Sequence, residues 1–334
     1  MLNLPLKWHA WAVIISIVLI LAGGGLFFGL KKVNIGVSRI IDKQEPKVSS
    51  IAGLECENYS RRPVAVMLAS DVEARPLSGL GQADVVVEIP VTPNGMTRLM
   101  AVYQCQTPKE IGAVRSARED FLPLAAGFQT IYAHWGGEHE ALAKLDSHVI
   151  DNINAMLFDG TIFYRKSGVP RPHNGFTTLA LLAEQSQKYG YDLTKDFSGY
   201  PHTDTGPARN LSNVANVINM DYQAPWDVSW KYDTKLNTYL RLRNGTPEID
   251  KNTGQQVSAT VVVVMHTSSS VLNKDYVTVQ TTGQGTADVY QNGTVMSGTW
   301  KKDPSRLDSK LMFLDSQGKE VKFLPGTIWI EITN

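Results

Sequence analysis

Three arginines, Arg98, Arg115 and Arg118, are the residues whose type and spacing point most directly to chemistry. Arg98 begins a strand-like segment, and the other two flank a predicted helix start. Unpaired backbone N–H groups and the positive end of the helix dipole favour anions at such a position. Guanidinium groups beside it would bind a phosphate or a carboxylate. The alternative is that each arginine pairs with a nearby acid on the surface.

Two histidines add a second kind of chemistry. His134 follows a strand-like segment and precedes two glycines, an arrangement that brings backbone close to a ligand. His173 lies in a loop before a helical segment, and its charge changes near neutral pH. Arg165 and Asn174, in the same loop, would serve as further ligand-binding groups. The alternatives are a tight turn at His134 and a solvated loop at His173.

An enzyme built on these histidines would need an acidic partner. Glu88 and Asp120 are the candidates for that role, with His134 or His173 as the general acid or base. Asp71 is another acid of the same region. Because the sequence does not show that these side chains converge, catalysis is one hypothesis beside ligand binding.

Familiar catalytic and metal-binding signatures are absent from the sequence. His139 and Glu140 lack the second histidine of a zinc-protease helix, because position 143 is alanine. There is no Gly-x-Ser-x-Gly elbow and no Walker-type phosphate loop. We therefore predict neither a metal nor a cofactor. The 32 basic and 32 acidic residues balance, which argues against a general nucleic-acid binder.

An almost wholly apolar stretch covers residues 8–30. About 20 apolar residues are enough to cross a bilayer as a helix. A cleaved signal peptide is the alternative, although the run is longer than a typical h-region. We predict an N-terminal membrane anchor over residues 1–32, which holds the chain in the membrane through 8–30. A polar tether over 33–57 would follow it.

Two signals disagree about which side of the membrane carries the globular part. Lys31 and Lys32 directly follow the apolar stretch, which the positive-inside rule reads as cytoplasmic. Cys56 and Cys105 instead suit a disulfide in an oxidising compartment. Such a bond would close a long loop and contribute roughly 3–4 kcal/mol in the chain-entropy model. The alternative is two unrelated buried thiols.

Residues 58–200 alternate strand-like and helix-like segments, which predicts a mixed α/β (α+β) domain. The apolar segments 85–91 and 97–104 are rich in strand-forming residues. The stretch Thr-Pro-Asn-Gly at 92–95 lies between them and is a strong turn signal. The two segments should therefore form a β-hairpin.

Helix signals in this region are of two strengths. Ser116 as N-cap, with Glu119 three residues later, predicts a helix start. Pro123 would then shorten or kink that helix. The best helix of the chain covers residues 178–189 and ends at Gly190, which suits a C-terminal cap.

The pattern changes after a candidate linker over residues 191–212. Residues 213–334 contain β-like segments separated by turn signals, and helix signals are few. The region predicts a small mostly-β C-terminal domain. Its tryptophans and tyrosines could stack on sugars, but at strand spacing such residues more often fill a core.

Several stretches resemble the YerB-like family of bacterial lipoproteins. The N-terminal ones are RPVAVM at 62–67, ARPLSGL at 74–80, QADVVVE at 82–88 and IGAVRSAR at 111–118. His134 with its two glycines continues the match. So do FYR at 163–165, PHN at 172–174, WKYD at 230–233, YLR at 239–241 and GTW at 298–300. The resemblance covers nearly all of residues 58–334.

The resemblance implies an N-terminal domain, a smaller C-terminal domain and a location in the cell envelope, but no established activity. It places the globular part outside the cytoplasm, so the basic residues after the apolar stretch depart from the positive-inside trend. Many members of the family carry a lipid-attached cysteine. This sequence has none at the expected place, and we expect the segment 8–30 to anchor it instead.

Three functions follow as hypotheses. The first is a membrane-anchored extracytoplasmic protein that binds an anionic envelope ligand bearing phosphate or carboxylate, such as a glycan. The second is a hydrolase or transferase that acts on an envelope polymer. The third is a structural partner of other membrane proteins, with the β-domain as contact surface. An enzyme should bring a histidine and an acid together in a cleft, a binder should form a basic pocket, and a scaffold should expose an apolar patch.

Overall fold

The computed structural model describes residues 47–195, 198–203 and 216–334. The predicted membrane segment 8–30 lies outside the described residues, as does the tether up to residue 46. Within the described ranges, no helix is long and apolar enough to cross a bilayer. Residues from Pro46 to the C-terminus group into one unit.

The described part of the chain contains more strand than helix. The four α-helices are α1 (Leu122–Gly127), α2 (His139–Asp146), α3 (Ala155–Phe158) and α4 (Leu179–Lys188). The first strands are β1 (Val64–Ala69), β2 (Val85–Pro90), β3 (Thr97–Tyr103), β4 (Ile111–Gly112), β5 (Ile131–His134), β6 (Asn152–Asn154), β7 (Tyr164–Arg165) and β8 (Gly175–Thr177). The later strands are β9 (Val217–Asn219), β10 (Val228–Asp233), β11 (Thr238–Arg243), β12 (Thr246–Pro247), β13 (Ser258–Ala259), β14 (Val261–His266), β15 (Ser269–Val271), β16 (Val277–Val279), β17 (Gly283–Gln291), β18 (Thr294–Lys302), β19 (Met312–Leu314) and β20 (Ile328–Thr333).

One ten-stranded sheet runs through both halves of the sequence. Its order is β19-β18-β17-β14-β20-β2-β3-β1-β5-β6. The halves join where β20 lies parallel to β2, with Ile328 opposite Val85. The regions 58–200 and 213–334 therefore share one sheet. Among the described residues, all the α-helices belong to the first region, and the second region contributes only strands.

The central strands of this sheet are covered on both faces. On β1, Val64, Val66 and Leu68 pack into one apolar cluster, while Ala65 and Met67 pack into the other. A strand buried on both faces has a continuous run of apolar residues in its sequence rather than an alternation of apolar and polar residues. That is why the segment from Pro63 onward shows no polar alternation in the sequence.

Smaller sheets lie beside the large one. Strands β12-β11-β10-β9 form a second sheet, to which β13 adds by pairing with β11. This sheet packs Trp230 and Tyr239 into the first apolar cluster. Strands β4-β8-β7 form a three-stranded sheet, and β15 and β16 form a hairpin of their own.

The sequence predicts several of these elements correctly. The predicted hairpin is confirmed, since β2 and β3 pair antiparallel on either side of the turn that contains Gly95. The helix expected over 178–189 is confirmed as α4, and the Thr178 hydroxyl accepts a hydrogen bond from the Leu181 N–H at its start.

The helix start predicted at Ser116 is wrong. Arg118 has an extended backbone, and a single 3-10 turn, Glu119–Phe121, directly precedes α1. The reason is tertiary: the Ala117 N–H donates to the Gly136 carbonyl, so this segment runs beside the residues after β5. Pro123 stands in the first turn of α1. There a proline is tolerated, because its missing N–H would have no partner within the helix.

Candidate functional site

A carboxylate just beyond the end of β1 collects three side chains that can be cationic. Arg98 lies on β3 opposite Ala69, the last residue of β1, and Asp71 follows two positions later. Arg115 reaches the same place because its backbone N–H donates to a carbonyl of β1. His173 approaches from the loop before β8. We call Asp71, Arg98, Arg115 and His173 the Asp71 cluster.

A single oxygen atom is common to these contacts. The Oδ2 atom of Asp71 lies 3.2 Å from Nη1 of Arg98, 3.7 Å from Nε of Arg115 and 3.9 Å from Nδ1 of His173. Only the first distance allows a hydrogen bond. Arg98 is 2% exposed and Asp71 is 7% exposed. The cluster is therefore largely buried, but its ion-pair distances are long.

The cations of this region keep unused donors. The Nε atoms of Arg98, Arg115 and Arg118 are buried and have no hydrogen-bond partner among the described residues. Burial lowers the pKa of Arg98 to about 10, and the neighbouring Arg115 acts in the same direction against Asp71. Arg98 thus stays protonated at neutral pH. Buried donors of this kind are costly unless something accepts from them.

Arg118 lies beside the cluster. Its positive charge contributes to the lowered pKa values of both Arg98 and Arg115, which places the three guanidinium groups near one another. One of its Nη atoms lies 3.4 Å from a carboxylate oxygen of Glu138. Its guanidinium also stacks on the ring of Tyr276, 4.4 Å from the centroid. The structure therefore gathers the three predicted arginines in one region.

His173 is the one predicted histidine that joins the cluster. Its Nδ1 atom is buried, and no described residue forms a hydrogen bond with it. Burial lowers the pKa of His173, against the opposing effect of Asp71. Burial thus favours the neutral form of the ring. A neutral imidazole can offer one donor and one acceptor to a ligand.

Arg165 and Asn174 form a pair of their own. Arg165 donates from Nε to Asp159 Oδ2 over 2.8 Å and from Nη1 to Asn174 Oδ1 over 2.9 Å. Its guanidinium stacks on Trp135 at 4.2 Å from the ring centroid. Since Asn174 directly follows His173, these contacts support the loop that carries the histidine. A direct ligand-binding role for the pair stays a prediction.

The proposed acid–base role of His134 does not fit the structure. The residue is 0% exposed. Its Nδ1 atom lies 2.7 Å from the Gly136 carbonyl oxygen, and its Nε2 atom lies 3.2 Å from Asn152 Oδ1. With both ring nitrogens engaged, His134 fixes the turn after β5 rather than facing a ligand. Burial lowers its pKa, and a neutral ring can donate to only one of these two oxygens, of which the Gly136 carbonyl is the nearer.

Glu88 is also not available as a catalytic partner. It is fully buried on β2, where its carboxylate accepts hydrogen bonds from Arg241, Arg243 and Thr97. Arg241 also bonds to the carboxylates of Glu248 and Glu331. The sequence did not indicate this buried ionic network, because its arginines come from the strand β11 of the other half. Glu88 holds the two halves together instead of serving the histidines.

Comparisons with known proteins agree on one relationship. A family described as "Protein of unknown function (DUF3048)" matches through its N-terminal domain at residues 51–192 and its C-terminal domain at residues 218–330. A Bacillus subtilis protein named "Putative lipoprotein YerB" is 32% identical over 295 residues, 84% of this chain and 85% of that protein. This chain belongs to the DUF3048 family.

A solved relative has the same fold as this DUF3048 chain. The crystal structure of YerB protein from Bacillus subtilis superposes with a TM-score of 0.77 at 29% identity. The match covers 86% of this chain and 96% of the other. The expectation of a YerB-like family member is thereby confirmed, and the family description assigns no activity.

A disulfide in this DUF3048 chain joins Cys56 to Cys105, with an Sγ–Sγ distance of 2.03 Å. Cys105 lies two residues after β3, and Cys56 lies in the segment that leads towards β1. No group of three or more metal-ligating side chains occurs within residues 47–195, 198–203 and 216–334.

Asp120 lies at a different place from the histidines. It lines a cavity of about 710 Å³ between the start of α1 and the β15–β16 hairpin. Its Oδ2 atom accepts a hydrogen bond from the Val279 N–H over 2.9 Å. Burial raises the pKa of Asp120 to about 7, and the Glu138 and Glu119 charges act in the same direction. The predicted pairing of Asp120 with a histidine does not occur.

The raised pKa of Asp120 predicts how pH affects stability. The folded state holds this proton up to about pH 7, whereas an unfolded aspartate releases it near pH 4. The contribution of Asp120 to stability is thus largest below pH 4 and falls as the pH rises towards 7, by at most about 1.4 kcal/mol per pH unit for one proton. Asp120→Asn should flatten this slope in urea unfolding at pH 4.5 to 7.5. The exposed Asp308→Asn variant is the control, and equal slopes in both would refute the assignment.

Two residues of the site had no predicted role, Asp71 and Tyr276. Asp71 carries a signal that could have found it, since it follows the apolar run of β1 as His134 follows that of β5. Tyr276 carries no such signal. The β15–β16 hairpin brings it to Arg118, although Tyr276 lies 158 positions after Arg118 in the sequence.

Proposed function

We propose that this chain is a membrane-anchored extracytoplasmic protein of the cell envelope that binds an anionic ligand at the Asp71 cluster and Arg118. The proposal rests on three guanidinium groups whose buried Nε atoms have no hydrogen-bond acceptor in the part of the chain that the structure describes. The ligand would bear a phosphate or a carboxylate, with a glycan as one carrier of that group.

Charge supports an anion as the ligand. Arg98, Arg115 and Arg118 face two carboxylates, Asp71 and Glu138. The ion pairs of these arginines therefore involve three guanidinium groups and only two carboxylates among the described residues. Since burying an uncompensated charge is costly, an anion that brings acceptor oxygens would stabilise the folded protein.

The location rests on separate observations. The Bacillus subtilis relative carries the word lipoprotein in its name, and the Cys56–Cys105 bond suits an oxidising compartment. Attachment through the apolar segment 8–30, as a single-pass anchor, is part of this proposal. The globular residues would then face the outside of the membrane.

A direct binding experiment tests the ligand proposal. Titration calorimetry with inorganic phosphate should give binding to the wild-type globular chain and about 10- to 100-fold weaker binding to Arg115→Ala, because a hydrogen bond to a charged group contributes about 1.5–3 kcal/mol. Arg115 is partly exposed, so the variant should fold. Arg306→Ala is the matched control, since that arginine is 67% exposed in its side chain. Equal phosphate affinity in all three proteins would contradict the proposal.

One pair of residues could still support an enzymatic function. With His134 and Glu88 occupied elsewhere, the remaining candidate pair among the described residues is His173 and Asp71, whose Nδ1 and Oδ2 atoms lie 3.9 Å apart. A hydrolase or transferase would use this pair on the anion that the arginines hold. Turnover of a phosphate ester by wild type but not by His173→Gln, measured at ester concentrations that saturate both proteins, would favour it.

A further inference from the structure

We infer that this site selects oxyanions that carry a proton of their own, such as inorganic phosphate and phosphomonoesters. It would reject sulfate and phosphodiesters. The inference rests on the proposed function and adds a rule of selectivity to it. The residue that sets the rule is Asp71, the carboxylate in the middle of the cations.

The position of Asp71 is unusual for an anion site. Its Oδ2 atom lies within 4 Å of a nitrogen of Arg98, Arg115 and His173, so a ligand bound among these groups would lie close to the same oxygen. Among the described side chains, Arg98 alone forms a hydrogen bond with it. The carboxylate therefore keeps lone pairs that can accept from a ligand.

An ionised carboxylate accepts hydrogen bonds and donates none. A sulfate or a phosphodiester also offers only acceptors at its charged oxygens, so oxygen would face oxygen and two negative charges would repel. Phosphate and phosphomonoesters lose their second proton only near pH 6 to 7. Below that range they present a P–O–H group that can donate to Asp71 while their other oxygens accept from the arginines.

The discrimination expected from such a pair is large. A site built to hydrogen-bond a ligand hydroxyl leaves its own buried group unpaired when the hydroxyl is missing, and rejects the analogue by factors of up to about 10⁴. Asp71 is partly reachable by solvent at 7% exposure. We therefore expect a smaller preference, at least about 30-fold, for phosphate over sulfate.

The same rule distinguishes two sources of phosphate in an envelope. A terminal phosphomonoester or a free phosphate ion carries the required proton, whereas an internal diester of a polymer does not. The site would thus recognise chain ends or small phosphates rather than the repeating diester backbone.

Calorimetric titrations at pH 6 and fixed ionic strength test this selectivity. Inorganic phosphate and sulfate are titrated into wild type, Asp71→Asn and the control Asp308→Asn, in which an exposed carboxylate is changed. Wild type and the control should prefer phosphate at least about 30-fold. Asp71→Asn should bind sulfate more tightly than wild type does, and its preference for phosphate should fall below about 3-fold, because the asparagine amide can donate.

A ligand series covers the case in which Asp71→Asn does not fold. Methyl phosphate and dimethyl phosphate are titrated into wild type alone, and only the first should bind. Equal binding of sulfate and phosphate to wild type, or of the two methyl esters, would overturn the selectivity while the anion site stands. If no oxyanion bound to wild type, the proposed function itself would fail.

Discussion

Replacing Arg241 by methionine is expected to lower the free energy of unfolding by about 3–5 kcal/mol. The guanidinium of Arg241 is fully buried and bonds to Glu88, Glu248 and Glu331. Methionine keeps much of the side-chain volume but removes the positive charge, so buried carboxylates would lose their partner. Breaking a buried ion pair from one side costs far more than the pair contributes.

The network around Arg241 explains why the loss is large. Among the described residues, its three carboxylates form their ion pairs with two guanidinium groups, those of Arg241 and Arg243. Burial raises the pKa of Glu331, and the Glu88 charge acts in the same direction. Glu248, despite its burial, has its pKa lowered to about 2 by Arg243 and Arg241. Without Arg241, the buried carboxylates of Glu88, Glu248 and Glu331 would have too few cationic partners.

Urea or guanidinium unfolding followed by tryptophan fluorescence measures the effect. The signal is suited to this network, because Arg241 stacks on Trp329 at 4.0 Å and on Trp230 at 4.9 Å from the ring centroids. Arg306→Met is the control, since its exposed ion pair with Asp308 should change stability by less than about 1 kcal/mol. A loss below about 1 kcal/mol in Arg241→Met would show that the network tolerates an unpaired acid.

Removing the disulfide is expected to cost a similar amount. Cys56 and Cys105 are separated by 49 positions. In the chain-entropy model a loop of this size contributes about 4 kcal/mol, because the bond restricts the unfolded chain. The Cys56→Ala/Cys105→Ala double variant should therefore unfold at a much lower denaturant concentration than the oxidised wild type.

The reduced wild-type protein is the matched control for that double variant. It has the same two sulfur atoms as the oxidised protein but lacks the bond between them. Its denaturation midpoint should therefore lie close to that of the double variant. Both proteins should retain the far-UV circular dichroism of the oxidised form. If reduction left the midpoint unchanged, the bond would not limit the unfolded chain as the loop length predicts.

The elements of the large sheet were predictable wherever local pattern and tertiary environment agree. The hairpin of β2 and β3 follows from apolar segments around a strong turn signal, and α4 follows from the helical segment that ends before Gly190. Ser116 shows the opposite case. Its capping signal is local, but the backbone hydrogen bond between Ala117 and Gly136 keeps the segment extended.

The sequence predicts which residue types the candidate site contains. It does not predict which of these residues lie together in the fold. Arg98, Arg115 and His173 come from separate segments, and strand pairing brings them together at Asp71. His134 looked equally suitable, because a histidine after a strand and before two glycines fits a ligand turn. Only the fold shows that its two nitrogens are used by Gly136 and Asn152.

By itself, the sequence determined the family, the mixed composition of strands and helices, and the residue types available for an anion site. These depend on local patterns and motifs that neighbouring residues carry. Tertiary structure alone decided that β20 pairs with β2, that Glu88 is held by Arg241 and Arg243, and that Asp71 is the centre of the cations. The physical reason is that a charged side chain acquires its role from burial and from partners that are distant along the chain, such as Glu88 and Arg243, which are 155 positions apart.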